Sequence, residues 1–272
     1  MAYSQIILEK KGPVATITLN RPEKCNALSM KLSAELADAI LNIKGDDDLK
    51  IVVFKGAGGN FSGGDDITEF SKWGTTSNIF ERGKLYQHTA DEIESLNKIT
   101  IAAVEGSAVG GGLEITMVCD FVIAAEGSQF GIPEIDIGMT PGWGGTQRMG
   151  RLVGRRKIKE MIFIGALLDP YQAKDLQLVN KVVPADKLDE AVNDLIEVIL
   201  GKPQDILIYG KFIIEKGLEA DLHTGLGFEV VAGALNTTTK SMKESTASFT
   251  RKTALWQGRR EKREAYYRKY PW

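Results

Sequence analysis

Two glutamates stand in otherwise apolar stretches of the sequence, and their surroundings indicate acid and base chemistry. Glu114 lies within LEITMVC at residues 113–119, and Glu134 follows FGIP at residues 130–133. A carboxylate among apolar side chains is costly to bury unless it is paired or takes part in function. Two carboxyl groups in a partly dry pocket would have separate pKa values, so one could donate a proton while the other accepts it.

Two glycine-rich loops, residues 56–65 and 106–112, each follow a predicted strand. Glycines in this position let a ligand approach backbone N–H groups at the positive end of a helix, and such donors suit an oxyanion. The alternative is that the glycines only permit tight turns. The presence of two such loops, with Glu114 just after the second, favours an oxyanion site.

Other common chemistries lack their sequence motifs. The chain contains no G-x-x-x-x-G-K-[ST] phosphate loop and no H-E-x-x-H, and neither glycine loop joins strand to helix through G-x-G-x-x-G. Ala108 stands where a G-x-S-x-G elbow would place its serine. The two histidines and two cysteines show no metal-ligand spacing. The sequence therefore predicts no metal site and no serine hydrolase.

The elements that must position these residues alternate between strand and helix. Apolar runs predict strands near residues 5–9, 14–19, 51–54, 101–104, 121–125 and 179–183. Helical spacing predicts helices after the capping residue Ser29 and near residues 85–96, 114–118 and 155–163. From about residue 186 onward the pattern is helical throughout. We expect an α/β core of residues 1–200, which binds the ligand and carries the chemistry, and a helical C-terminal region of residues 201–272.

Composition and charge limit the class of protein. The 272 residues are 43% hydrophobic and 26% charged, which is ordinary for a globular chain, and the formal net charge is −2. Such a charge creates no global field that would gather nucleic acid or an anionic membrane. The chain shows no secretory signal pattern and no apolar run long enough to span a membrane. We therefore expect a cytoplasmic protein.

Segments of the sequence resemble a known family. Residues 61–67 (FSGGDDI) resemble the F-x-A-G-x-D-[LI] segment of the enoyl-CoA hydratase/isomerase (crotonase) superfamily. Residues 110–114 (GGGLE), 130–134 (FGIPE) and 141–148 (PGWGGTQR) are similar to further segments of its hydratase branch, in the same order. The opening segments 19–22 (LNRP) and 26–28 (NAL) also fit. The resemblance extends from about residue 5 to residue 256.

The resemblance implies a fold and an activity. The fold would be a crotonase-type spiral of repeated ββα units, with C-terminal helices that cover the active site and form homotrimers or hexamers. The activity would be that of a hydro-lyase, which adds water across the 2,3 double bond of an enoyl-CoA to give a 3-hydroxyacyl-CoA. The backbone N–H groups of Asp65 and Gly111 would bind the thioester oxygen. Glu114 would activate the water for attack at C3, and Glu134 would supply the proton to C2.

The resemblance also implies which residues contact the acyl-CoA substrate: Lys24, Cys25, Ala27, Gly63, Asp66, Ile67 and Thr68. Lys24 would contact a phosphate, the alternative being a solvated surface lysine. Coenzyme A is part of the substrate, so no separate cofactor is implied.

Three departures from the family pattern leave alternatives open. Gly63 stands where alanine is usual, and Asp65 stands where a small residue is usual, so its carboxylate could contact the acyl group. A cyclic dienoyl-CoA substrate, with Asp65, Trp73 and Trp143 shaping the pocket, is one alternative, and an enoyl-CoA isomerase is another. The third departure is the basic tail of residues 257–272. Its charge could contact the 3′-phosphate of coenzyme A in a neighbouring subunit, bind RNA, or belong to a solvated helix. RNA binding by this tail is the alternative from a different functional class.

Overall fold

The computed structural model describes residues 3–72 and 74–271, and of residues 71 and 72 the backbone alone. Trp73, one of the residues predicted to shape the pocket, lies outside the described residues. The strands are β1 (Ile6–Lys11), β2 (Val14–Leu19), β3 (Ile51–Gly56), β4 (Ile99–Val104), β5 (Ser107–Val109), β6 (Phe121–Ala125), β7 (Gln129–Gly131), β8 (Leu167–Leu168) and β9 (Lys181–Val183). The α-helices are α1 (Met30–Lys44), α2 (Thr76–Glu94), α3 (Gly111–Met117), α4 (Gly145–Val153), α5 (Arg155–Ile164), α6 (Pro170–Asp175), α7 (Leu188–Leu200), α8 (Gln204–Glu219), α9 (Leu222–Thr238), α10 (Lys240–Arg251) and α11 (Ala254–Lys269). The predicted α/β class is confirmed.

The larger sheet has the strand order β1-β2-β3-β4-β6-β9. Strands β1 and β2 form the predicted antiparallel hairpin, and each later pairing in this sheet is parallel. All six residues of β4 are buried, as expected for a parallel strand that is covered on both faces. Because parallel strands end at the same edge, the segments that follow β3 and β4 lie close together.

Helix α1 forms as the sequence predicts. The Ser29 side chain accepts a hydrogen bond from the backbone N–H of Leu32 at 3.0 Å, which caps the first turn. Leu32, Leu36, Ile40 and Ile43 recur at helical spacing and are all fully buried in the hydrophobic core. Burial of this apolar stripe holds the helix against the first strands.

A second sheet, with the order β5-β7-β8, has no counterpart in the predicted elements. Its strands contain only two or three residues each, so hydrophobic periodicity cannot reveal them. The sheet nevertheless matters for the site, because Ala108 of β5 pairs with Ser62 in the first glycine-rich loop. This pairing brings the two glycine-rich loops side by side.

The chain divides into two compact units, Met1–Val192 and Asn193–Trp272. The first unit contains both sheets and helices α1 to α6. In the second unit, α8 packs against α9, where the ring centroids of Phe212 and Phe228 lie 5.9 Å apart. None of the helices in the described ranges is both long enough and apolar enough to cross a membrane.

Ion pairs within the second unit neutralise part of the basic tail. Lys262 pairs with Glu197 at 2.9 Å, Lys269 pairs with Asp194 at 2.6 Å, and Arg260 pairs with Glu264 at 2.5 Å. The Tyr270 hydroxyl also donates to Asp194 at 2.9 Å. The contacts of Lys262, Lys269 and Tyr270 join α11 to α7, whereas the pair of Arg260 and Glu264 lies within α11. Together they leave less of the tail's charge for a polyanion.

The buried side chain of Asn26 ties the segment after β2 to the first glycine-rich loop. Its Nδ2 donates to the carbonyl oxygens of Ala57 and Asn60, at 2.8 and 2.6 Å. Its Oδ1 accepts from the backbone N–H of Arg21 at 2.8 Å. Asn26 also has a left-handed backbone, with φ of 53°, which asparagine tolerates better than most residues.

We predict that Asn26→Ala lowers the free energy of unfolding by about 2–4 kcal/mol, because it leaves buried carbonyl groups without donors and strains the left-handed backbone. Urea denaturation measures the change. Lys24→Ala, at an exposed position nearby, is the control and should alter stability by less than about 0.5 kcal/mol. Equal effects of the two substitutions would contradict the assigned role of Asn26.

Candidate active site

Glu114 is a buried carboxyl group held by backbone donors from another part of the chain. It lies in the first turn of α3, and its side chain is 1% exposed. Its Oε1 accepts hydrogen bonds from the N–H groups of Trp143 at 2.9 Å and Gly145 at 2.6 Å. A Cβ atom on residue 145 would lie 2.7 Å from this same oxygen, so the close approach requires glycine.

The environment of Glu114 favours its neutral form. Burial raises the pKa of Glu114 to about 8, and the negative charges of Glu134 and Asp65 act in the same direction. The N–H groups of Gly145 and Trp143 oppose this rise because they stabilise the carboxylate. The result is a carboxyl group that exchanges its proton near neutral pH.

Glu134 lies close to Gly110, the residue that precedes α3. It begins a 3-10 turn after β7, and a Cβ atom on residue 110 would lie 3.0 Å from its Oε1. Its Oε2 is buried and has no hydrogen-bond partner among the described residues. Burial raises the pKa of Glu134 to about 7, and the charge of Asp65 adds to the rise. An unpaired buried carboxyl oxygen of this kind is suited to a water molecule or a ligand.

The backbone N–H of Asp65 points away from the strand pairing that holds it. Leu28 forms a parallel bridge with Asp65 by donating to the carbonyl of Gly64 at 2.8 Å and accepting from the N–H of Asp66 at 3.2 Å. Because alternate residues of a strand point in opposite directions, the N–H of Asp65 faces the other side. It has no acceptor in the part of the chain that the structure describes.

Gly111 supplies a second free N–H at the start of α3. This group likewise has no acceptor within residues 3–72 and 74–271. A Cβ atom on Gly64 would lie 3.5 Å from the Gly111 nitrogen, which shows how closely the two glycine-rich loops approach. Gly64 itself has φ of 91°, a conformation that favours glycine. Two free donors on adjacent backbones can together donate to one developing oxyanion.

The Asp65 side chain brings a third carboxyl group into the site. Its Oδ1 accepts a hydrogen bond from Nε1 of Trp143 at 3.1 Å. Burial raises the pKa of Asp65 to about 6, against the opposing effect of this hydrogen bond. The Trp143 ring is fully buried and stacks on Tyr86, with ring centroids 4.6 Å apart. Trp143 therefore positions Glu114 through its backbone and Asp65 through its indole.

A cavity of about 120 Å³ lies beside these groups. It is lined by Gly63, Gly64, Asp65, Ile67, Phe70, Val109, Gly110, Pro133, Glu134, Ile137, Met139 and Thr140. Asp65 and Glu134 are among the lining residues, whereas Glu114 is not.

Two of the predicted CoA-contacting residues, Gly63 and Ile67, line this cavity, and a third, Cys25, contacts Gly63 at its rim. Lys24, Cys25 and Gly63 are exposed, and the Gly63 N–H donates to the Cys25 carbonyl at 2.8 Å. Ile67 is exposed and lines the cavity. The structure thus places residues from the segment after β2 beside residues of the first glycine-rich loop.

Asp66, Thr68 and Ala27 are engaged with protein groups. The Asp66 carboxylate accepts from Arg21 Nη2 at 2.9 Å and from the Thr68 hydroxyl at 2.5 Å. Arg21 Nη1 donates to the Ala27 carbonyl at 2.6 Å. These contacts lower the pKa of Asp66, although its burial acts in the opposite direction. Arg21 therefore holds the two rim segments together, so any effect of Asp66 on a ligand is indirect.

The roles of the residues that hold Glu114 and the rim segments in place were not predicted from the sequence. Trp143 was named as a pocket residue and as part of a family motif, and Gly145 and Arg21 only as parts of family motifs. The one sequence feature that could have indicated the role of Gly145 is its place in the adjacent pair of glycines in PGWGGTQR. The described residues contain no group of three or more histidine, cysteine, aspartate or glutamate side chains that could hold a metal ion.

A sequence model described as enoyl-CoA hydratase/isomerase matches residues 9–259. Similar proteins include a crotonyl-CoA hydratase from Syntrophomonas wolfei, which is 36% identical over 93% of this chain and 97% of that protein. A short-chain-enoyl-CoA hydratase from Clostridium acetobutylicum is also 36% identical, over 94% of this chain and 98% of its own length.

Solved structures resemble this fold over a similar share of the chain. The crystal structure of an enoyl-CoA hydratase from Bacillus anthracis aligns with a TM-score of 0.87 and 33% sequence identity. The alignment covers 92% of this chain and 97% of that one.

The raised pKa of Glu114 predicts a pH-dependent stability. Folded Glu114 holds its proton more tightly than an unfolded glutamate, so its contribution to stability is lost as the pH rises from about 4.5 to about 8. Glu114→Gln stays neutral and keeps an acceptor for the two N–H groups. We expect it to be more stable relative to the unaltered protein at about pH 9 than at about pH 5.

Urea denaturation at the two pH values measures this difference. The matched control is Glu9→Gln, at an exposed position of β1, for which we expect a similar effect at both pH values. A Glu114→Gln effect that does not change with pH would contradict the buried environment of Glu114.

Proposed function

The chain belongs to the enoyl-CoA hydratase/isomerase family, and we propose that it adds water across the 2,3 double bond of an enoyl-CoA thioester. The product is a 3-hydroxyacyl-CoA. One observation carries the proposal: the buried Glu114 and the half-buried Glu134, both with raised pKa values, lie near two backbone N–H groups that have no acceptor within the described residues. The names of the relatives, which include a crotonyl-CoA hydratase and a short-chain-enoyl-CoA hydratase, support the same reaction.

The backbone donors act on the thioester. Attack of water at C3 moves negative charge onto the thioester oxygen, as an enolate forms. The N–H groups of Asp65 and Gly111 donate to this oxygen, and removal of one such donor typically reduces the rate by about 10² to 10³. Because the donors belong to the backbone, they are already in place before the substrate binds.

The two glutamates transfer the protons of the water molecule. Glu114 takes a proton from the water that attacks C3, and Glu134 supplies the proton to C2. Burial raises the pKa of both glutamates, so one proton can rest on the pair near neutral pH. In this assignment of roles the proton lies on Glu134 before water attacks, so that the Glu114 carboxylate can accept the proton of the water.

The coenzyme A part lies along the rim of the cavity in this proposal. Lys24, Cys25, Ala27, Gly63 and Ile67 flank it, while Arg21 and Asp66 hold the rim in shape. The reaction needs no oxidant or reductant, because water addition changes no overall redox state, so no separate cofactor is proposed. A cytoplasmic location remains part of the proposal.

Assembly through the C-terminal helices is also proposed. Leu218, Leu222 and Val230 are 80%, 78% and 73% exposed on helices α8 and α9. Apolar side chains of this size in one region mark a surface that another protein surface covers. Homotrimers or hexamers formed by these helices would cover them.

Purified protein should hydrate crotonyl-CoA, which is measured by the loss of absorbance of the conjugated thioester and by identification of 3-hydroxybutyryl-CoA. Glu134→Gln should lower kcat by about 10² to 10⁴, because the proton donor is lost. Affinity for a saturated acyl-CoA should change little, as measured by calorimetry.

The control for Glu134 is Asp136→Asn, which changes an exposed carboxylate on the same 3-10 turn and should leave kcat within about 2-fold. Formation of a 3,4-enoyl isomer in place of the hydroxy product would contradict the hydratase proposal. Unchanged turnover in Glu134→Gln would remove this residue from the mechanism.

Light scattering after size-exclusion chromatography should give the mass of a trimer or a hexamer. Leu222→Glu should shift the protein toward the monomer, because a charge at a buried interface is costly. Lys240→Glu changes an already charged, exposed residue and should leave the mass unchanged. A monomeric unaltered protein would show that the assembly proposal is wrong.

A further inference from the structure

The Asp65 carboxyl group has one oxygen in use and one oxygen available to a ligand. Oδ1 accepts from the Trp143 indole at 3.1 Å. Oδ2 has no hydrogen bond to any described residue, and unlike Glu134 Oε2 it is not sealed from solvent. Asp65 lines the same cavity as Glu134 and Gly110. The available oxygen therefore faces space that a ligand can enter.

The position of this oxygen is fixed by its surroundings. The Trp143 ring that holds Oδ1 is fully buried and stacked on Tyr86, with only 8° between the ring planes. The backbone N–H of the same tryptophan is committed to Glu114. If the Asp65 side chain turned toward bulk water, it would lose its hydrogen bond to the Trp143 indole. Its second oxygen, Oδ2, is therefore held in one orientation before a ligand binds.

The path of the substrate passes this acceptor. The proposed thioester oxygen lies at the N–H of Asp65, and the cavity reaches Asp65 and Glu134 but not Glu114. An acyl group that extends from the thioester toward Glu114 approaches the Asp65 side chain, because Trp143 links Asp65 with Glu114 through its two N–H groups. The Asp65 side chain is thus beside the acyl part of the substrate and not beside the nucleotide.

An apolar acyl group would leave the available oxygen without a donor. A carboxyl oxygen that loses water on ligand binding, and gains no hydrogen bond in return, opposes that binding. A second carboxyl group, Glu134, faces the same cavity, and the lining contains no lysine, arginine or histidine to neutralise either one. The carboxyl groups at this cavity therefore favour an acyl group that carries a hydrogen-bond donor over a hydrocarbon acyl group.

We propose that Asp65 is a specificity-determining residue that selects enoyl-CoA substrates with a hydroxyl donor on the acyl group over hydrocarbon acyl groups of equal size. The inference rests on the proposed hydration reaction and names its substrate class. Trp143 acts as the positioning residue that aims the carboxyl group. Any residue other than proline at position 65 keeps the backbone N–H that donates to the thioester oxygen. A substitution of the side chain therefore tests the specificity role without removing this donor.

The test compares two substrates of matched size, 4-hydroxycrotonyl-CoA and trans-2-pentenoyl-CoA, in which a hydroxyl replaces a methyl group. We expect kcat/KM to be about 10- to 100-fold higher for the hydroxylated substrate, because a hydrogen bond to a charged group is gained. In Asp65→Ala the ratio should fall to about 1, since the acceptor is absent.

Asp65→Asn provides a second variant that keeps an oxygen for Trp143 and places an amide N–H₂ at the available position. Its ratio should also fall well below that of the unaltered protein, and this isosteric variant serves if Asp65→Ala does not fold. A preference of the unaltered protein for pentenoyl-CoA, or a ratio that Asp65→Ala or Asp65→Asn leaves unchanged, overturns the inference. Absence of hydration of both substrates by folded, unaltered protein refutes the proposed function instead.

Discussion

The N–H groups of Trp143 and Gly145 both donate to one oxygen of the buried Glu114 carboxyl group, and the rest of the site is arranged around this contact. Burial of a carboxyl group is unfavourable, and two backbone donors compensate for part of that cost. Because the donors lie at the start of α4, the contact joins helices α3 and α4 at their N-terminal ends. It places the two family segments that carry Glu114 and Gly145 side by side.

Close backbone contact between the glycine-rich loops is the second constraint. A Cβ atom on Gly112 would lie 2.5 Å from the Ser62 carbonyl, and one on Gly64 would lie 2.9 Å from the Val109 carbonyl. These glycines therefore serve contact between two loops as well as turn geometry. The contact places the N–H groups of Asp65 and Gly111 on adjacent backbones, where the proposed oxyanion site needs no flexible side chain.

Three carboxyl groups share this region, and their proximity sets their proton affinities. Burial raises the pKa values of Glu114, Glu134 and Asp65, and Asp65 contributes negative charge at both glutamates. Each proton bound by one group makes the next ionisation easier for the others. Asp65 thus influences the proton affinity of both glutamates and also lines the cavity.

The sequence by itself determined the family, the order of the main strands and helices, and the identity of the two glutamates. These features depend on local periodicity and on short motifs, which one chain displays directly. Only the tertiary structure revealed the short second sheet and the role of Trp143, whose indole bonds to Asp65 across 78 positions of sequence. Residue type and spacing do not reveal contacts between residues that are distant in sequence. They also do not reveal hydrogen bonds from backbone groups, which residues of almost every type share. For this reason the sequence pointed to the two glutamates as candidates, while the fold decided which groups hold Glu114 and which oxygen of Asp65 stays available.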